Sequence, residues 1–283
     1  CEFTGTTGGS SDDSAIVIFD DSTGLLGATR EGDAAPDGNG AFGHMWKEPV
    51  ANNAGQAAFY ATFTGTSGGA GDDTAVVRAD GSSLDQLARE GQPAPDGNGA
   101  FSGFSPTMAI NDVGAVAFVA TFDGTSGGSS DNRGICLGDG AALTQMVRAG
   151  EPAPDGNGVF QPVFGGPALN DAGQAAFYAY LADTDAGSSD DAGLFFYDDA
   201  VGLLKVIREG DAMLGSTVTE IQFAPSAGDY GEQRSGLNDR GQVAFMFRLA
   251  NGDEGVALWT IPEPGTLGLI AVGGLVALRR RRA

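Results

Sequence analysis

The chain repeats itself, and the repeat limits its fold more than any other feature. The form N-x-x-G-x-x-A-F occurs at residues 52–59, 111–118, 170–177 and 238–245, at offsets of 59, 59 and 68. A second marker, Arg-Glu-Gly, starts at Arg30, Arg89 and Arg208, with Arg148-Ala149-Gly150 between them. A third, Ala-Pro-Asp-Gly-Asn-Gly, starts at Ala35, Ala94 and Ala153 and is missing from the fourth unit, which carries about eight extra residues within 211–237. One period near 59 read through three markers commits the chain to a tandem architecture. Each unit is then a supersecondary element that its neighbours help to bury.

Within a unit the pattern reads as four short strands. Apolar runs at 15–20, 75–80, 134–139 and 193–198 close on Asp-Asp, Asp-Gly or Gly-Asp turns. A second set covers 25–30, 84–89, 143–148 and 203–208. The Pro-Asp-Gly-Asn-Gly segment follows as a long turn, with glycine and Asn suited to positive φ. A third strand starts at Phe42, Phe101 and Phe160, and an Asn-led tight turn opens a fourth, such as 173–181, expected to be buried on both faces. No stretch before residue 266 has a helical period. The fold class expected is all-β, of repeated four-stranded antiparallel units. Units of this length match the blades of a β-propeller, with a β-solenoid as the competing architecture. Residues 1–9 align with 61–69, inside the end of a fourth strand, and 255–261 read as one extra first strand. The expectation is an N-terminally truncated propeller, with a lipidated Cys1 as the other reading. As domains, residues 1–261 form the repeat body and 262–283 a separate tail.

Composition removes several function classes. The 283 residues carry 15 Lys+Arg against 37 Asp+Glu, a formal charge of −22. Four of those cations are the terminal Arg279, Arg280, Arg281 and Arg282, which leaves 11 against 37 in the body, near −26. Such a body repels phosphate backbones, so nucleic acid is not an expected partner. Cys1 and Cys136 form no metal-ligand spacing, and the single His44 excludes multi-histidine centres and most triads.

The tail is the most specific local signal. Pro262, Glu263 and Pro264 precede 14 uncharged, mostly apolar residues, 265–278, and then the four arginines. This looks like a PEP-CTERM sorting signal. The apolar stretch is expected as a single short C-terminal transmembrane helix, shorter than the roughly 20 residues of a permanent span and suited to a transient anchor. The arginines hold its end on the cytoplasmic side. The repeats also resemble a family of anchored bacterial proteins with tandem N-x-x-G-x-x-A-F repeats, over residues 1 to about 261; the fourth unit departs from the pattern. The resemblance implies export in a Gram-negative bacterium, processing by an exosortase, and display at the surface or in the matrix of exopolysaccharide producers. Exopolysaccharide and other surface proteins are the partners it suggests, and no catalytic residues come with it.

Candidate chemistry is confined to a few recurring residues. Asp12-Asp13, Asp72-Asp73, Asp131-Asn132 and Asp190-Asp191 follow glycine-rich loops and offer oxygen ligands to Ca²⁺; the alternative is that they cap turns. Arg30, Arg89, Arg148 and Arg208 suit one structural ion pair per unit, or else a ring of guanidinium groups for an acidic sugar. The motif residues Asn52, Gly55 and Phe59, with Asn111, Gly114 and Phe118, Asn170, Gly173 and Phe177, and Asn238, Gly241 and Phe245, are expected to shape the turn and fill the core. His44 aligns with Gly103 and is expected as an incidental surface residue. The reading is an exported, non-enzymatic binding or structural β-repeat protein; the alternative is an extracellular carbohydrate-active enzyme.

Overall fold

The computed structural model describes residues 4–20, 24–44, 49–225, 235–261 and 276–280. Among these residues there is no α-helix. Short runs rich in Val, Phe and Ala, punctuated by glycine every few residues, cannot sustain a helical period, and they pair as antiparallel meanders instead. The first sheet is a hairpin of Ala15–Asp20 and Gly24–Arg30. The second runs Ala41–Phe42 and Val50–Ala51, Ala57–Thr64, Thr74–Ala79, Leu84–Arg89; the third Ala100–Ile110, Val116–Asp123, Arg133–Gly138, Leu143–Arg148. The fourth runs Val159–Phe164 and Ala168–Leu169, Ala175–Ala182, Ala192–Asp198, Gly202–Arg208, and the fifth Ala212–Met213, Ser216–Gln222, Gln242–Leu249, Glu254–Thr260, Val276–Arg280.

The strands fall within a residue or two of the sequence reading, but the sheets divide elsewhere. Each full sheet joins the third and fourth strands of one unit to the first and second of the next. The reason lies in the connections. The glycine-rich loop after the fourth strand folds as a 3₁₀ turn (Gly69–Gly71, Gly128–Ser130, Gly187–Ser189) and returns the chain as a hairpin, so Ala57–Thr64 pairs with Thr74–Ala79 from Ala57–Ala79 to Thr62–Thr74. The Pro-Asp-Gly-Asn-Gly loop instead carries the chain from one sheet to the next. A bulge recurs in the first strand of the unit, at Ile16/Val17, Val76/Val77 and Leu194/Phe195, and locally sharpens the twist. In the unit lacking the long loop, Leu214 and Gly215 make a two-residue turn with φ of 52° and 79°, the left-handed pair a tight hairpin needs.

The fourth-strand expectation of burial on both faces holds only over its first half. Ala175, Ala176 and Phe177 are buried, whereas Tyr180 is 41% exposed. Of the expected membrane helix, 265–278, residues 265–275 lie outside the described residues. Val276–Arg280 is a strand, not a helix, and pairs with Glu254–Thr260, whose edge would otherwise be open. No helix among the described residues is long and apolar enough to cross a membrane.

The chain divides into two compact units, residues 1–128 with 132–145, and residues 129–131 with 146–283. The core of each is built from repeat positions. In the first unit Phe42, Phe59 and Phe63 are buried together, with Phe42 and Phe63 centroids 5.0 Å apart, and Phe101, Phe118 and Phe122 repeat the trio. In the second, Phe160, Phe177 and Leu181 take those positions, and Phe195 packs edge-on to Phe160 at 4.8 Å. Burying each such ring is worth roughly 1.5–3 kcal/mol.

Candidate functional site

Two of the recurring arginines, Arg89 and Arg208, are engaged by the loop that starts their own sheet. Arg89 is 3% exposed; its Nη1 donates to both carboxylate oxygens of Asp37 at 2.7 and 2.8 Å, its Nη2 to the Asn39 carbonyl at 2.8 Å, and its Nε to the Asp72 carbonyl at 2.8 Å. It also lies 4.5 Å from the centre of the Phe63 ring. Arg208 does the same with Asp155, the Asn157 carbonyl and the Asp190 carbonyl, and Lys205 adds a second cation to Asp155 at 3.2 Å. Arg30 and Arg148 donate to the Asp12 and Asp131 carbonyls. Partial burial works against the Asp37 charge, but the Asn39 amide, Gln86 and Arg89 outweigh it and hold the carboxyl below its usual value.

The Asn motif is a turn-builder. Asn52 Oδ1 accepts from the amides of Ala54 and Gln56, its Nδ2 donates to Gln56 Oε1, and Gly55 takes φ of +78°. The same Nδ2 reaches the Asn111 carbonyl, one repeat on, at 2.7 Å; Asn170 bonds the Asn238 carbonyl at 3.0 Å in the second unit. Gly114, Gly173 and Gly241 share the positive φ, and Phe59, Phe118, Phe177 and Phe245 are core residues.

The two acids of each pair do different things. Asp72 Oδ2 accepts from the Gly68 amide and from Asn39 Nδ2 at 2.7 Å, closing the glycine-rich loop on the Pro-Asp-Gly-Asn-Gly loop. Asp190 is held in the same way by Asn157 at 2.9 Å. Hydrogen bonding from Thr66 and Asn39 keeps Asp72 below the usual carboxylate value. Asp12 is likewise lowered, chiefly by Thr6. The second acid faces the glutamate of Arg-Glu-Gly. The Glu31, Glu90 and Glu209 amides donate to Ser14, Thr74 and Ala192, which fixes each glutamate beside Asp13, Asp73 or Asp191. In the third repeat both partners change together, to Asn132 and Ala149.

Around the second of these acid pairs the first unit has an open cleft of about 460 Å³, lined among others by Tyr60, Asp73, Glu90, Phe104 and Arg133. Burial, with the Asp73 charge adding to it, pushes the Glu90 carboxyl above its usual value, and Thr74 Oγ1 donates to it at 3.0 Å. Arg133 Nε is buried there without a hydrogen-bond partner. Around the first pair stands His44. The Gly32 amide donates to the Phe42 carbonyl, and the Gly43 amide to the Thr62 carbonyl, so His44 is carried against Glu31. Among the described residues, one group of His, Cys, Asp or Glu donors is close enough to share an ion: Asp13, Glu31 and His44, within 4.8 Å of one another. His44 is thus half-buried against these two acids. The signal for it in the sequence was the departure from Gly103 at that repeat position. The glutamates were legible as the Glu of Arg-Glu-Gly, varying with the second acid.

The body of the chain, residues 2–267, matches a family described as a family of unknown function, DUF7453. The chain belongs to the DUF7453 family. Residues 260–282 of this DUF7453 protein match the PEP-CTERM protein-sorting motif, which covers Pro262, Glu263, Pro264 and the arginine run. That motif is the signal for exosortase processing and implies an exported surface protein, anchored in the membrane before it is cut. No curated protein matches the chain. The likeness to a tandem N-x-x-G-x-x-A-F family rests on the motif alone. Pro262, Glu263, Pro264, Arg281 and Arg282 lie outside the described residues.

Proposed function

We propose that this DUF7453 chain is a non-enzymatic binding or structural component of the bacterial surface or extracellular matrix, displayed after exosortase cleavage. The sorting motif at residues 260–282 carries the reading, since it directs the body outward. The body supports it. Among its conspicuous recurring groups, Arg89, Arg208, Asp72 and Asp190 are spent on holding loops to sheets. Exopolysaccharide and neighbouring surface proteins are the proposed partners, and the four-stranded meanders are proposed to pack as propeller blades. Labelling of intact cells with an antibody to the body tests the display. Surface signal should depend on the exosortase; equal signal in cells without it would defeat the reading.

One observation favours a second reading, an extracellular carbohydrate-active enzyme: the Asp73–Glu90 pair in its cleft. Glycoside hydrolysis needs one protonated and one ionised carboxyl. Release of reducing sugar from the producing cells' exopolysaccharide, lost in Glu90→Gln, would establish it; no release by the parent chain would remove it.

A further inference from the structure

We propose that Asp13, Glu31 and His44 form a binding site for one divalent transition-metal ion of the zinc class. Imidazole nitrogen with two carboxylate oxygens is a ligand set suited to zinc and its neighbours rather than to the hard calcium ion, which takes oxygen alone. The spacing fits. An ion about 2.0–2.2 Å from each nitrogen or oxygen ligand holds tetrahedral donors roughly 3.3–3.6 Å apart. His44 Nδ1 stands 3.5 Å from Glu31 Oε2 and 3.8 Å from Asp13 Oδ1, at or beyond the limit of a hydrogen bond and within a few tenths of an ångström of those edges.

The surroundings ask for a cation. Glu31 is about nine-tenths buried, and Asp13 Oδ1 is shut off from solvent with no hydrogen-bond partner. Two carboxylates largely withdrawn from water side by side are costly until a positive charge joins them. Ser14 Oγ donates to Glu31 Oε2 at 3.0 Å and orients it, as an outer-shell partner does for a ligand. Thr62 Oγ1 bonds the His44 carbonyl at 3.2 Å and fixes the backbone that presents the imidazole. The repeat supplies an internal control. Asp73 and Glu90 occupy the same positions one unit on, Thr74 replaces Ser14, and Gly103 stands where His44 is. Three protein ligands leave a tetrahedral ion one further position, open to water or to a ligand oxygen.

The test is calorimetric titration of Zn²⁺ into the full chain after removal of bound metal with a chelator. The expected result is one ion per chain, with affinity reduced at least about tenfold by His44→Gly and by Asp13→Asn. Asp73→Asn/Glu90→Gln should leave zinc affinity within about twofold of the parent, since that pair lacks the imidazole. His44→Gly installs the residue the next repeat carries, so its circular dichroism in chelator should superimpose on the parent's; should it fold poorly, Asp13→Asn gives the same reading. Absence of zinc binding, binding that neither variant weakens, several ions spread over the acid pairs, or tighter binding of Ca²⁺ than Zn²⁺ would each overturn the site.

Discussion

Arg89 is a nearly buried guanidinium, and such a group is costly unless acceptors meet it. Its donors meet Asp37 and the carbonyls of Asn39 and Asp72, three acceptors on two segments distant in sequence. Arg89→Met should therefore cost about 3–5 kcal/mol in urea unfolding, by stranding those acceptors. Arg89→Lys should recover little, because a point charge cannot span the three acceptors. Asp37→Asn should cost less, its side chain being over a third exposed. Titration at the residue scale has two opposed parts. Asp37 and Asp155 have folded values below the usual 3.8, so their contribution is complete above that pH and is lost as pH falls through the folded value. Glu90 and Glu209 are raised above 4.5, chiefly by burial, so folding gains as they take up protons. Thermal midpoints should accordingly rise as pH is lowered from 7 toward 4.5 and fall below 3.8. Glu90→Gln should flatten the rise, and a midpoint that only falls from pH 7 would contradict the assignment.

The Pro-Asp-Gly-Asn-Gly loop is the element on which sheet succession depends, and its two glycines carry different loads. Gly97 has φ of +75° with open space where a side chain would stand; Gly99 has φ of +87°, and a Cβ there would lie 2.4 Å from the Asp123 carbonyl oxygen. Gly97→Ala should cost about 1–2 kcal/mol for the left-handed backbone alone. Gly99→Ala should cost visibly more in the same unfolding assay, since the carbonyl is backbone and must shift. Equal costs would mean that the loop yields. The strands themselves were readable because apolar runs ended on Asp-Gly turns, and Leu84–Arg89 and Leu143–Arg148 match the sequence reading to the residue. Which strands share a sheet was not readable. That depends on which loop makes a hairpin, and the 3₁₀ turn at Gly69–Gly71 looks in sequence like any flexible glycine run. The acid–histidine cluster was half readable. Repeat alignment exposed His44 as singular, but the ladder that carries it to Glu31 and Asp13 exists only once the chain is paired.

At the scale of the molecule, a net charge of −22 on one chain implies self-repulsion, so added salt of any kind should raise the thermal midpoint. With Asp72 and Asp190 engaged by Asn39 and Asn157, Ca²⁺ should add nothing beyond sodium chloride at equal ionic strength. An excess rise in calcium that Asp72→Asn/Asp73→Asn abolishes would instead make the paired acids calcium ligands. Export and surface sorting are the central claim, and they converge on one covalent event at the tail. The measurement that reaches it most directly is intact-mass spectrometry of the native extracellular protein from exosortase-competent cells. The account predicts a species cut near Pro262-Glu263-Pro264 that lacks Arg279 to Arg282. Recovery of the outer protein with its arginine tail intact would contradict it.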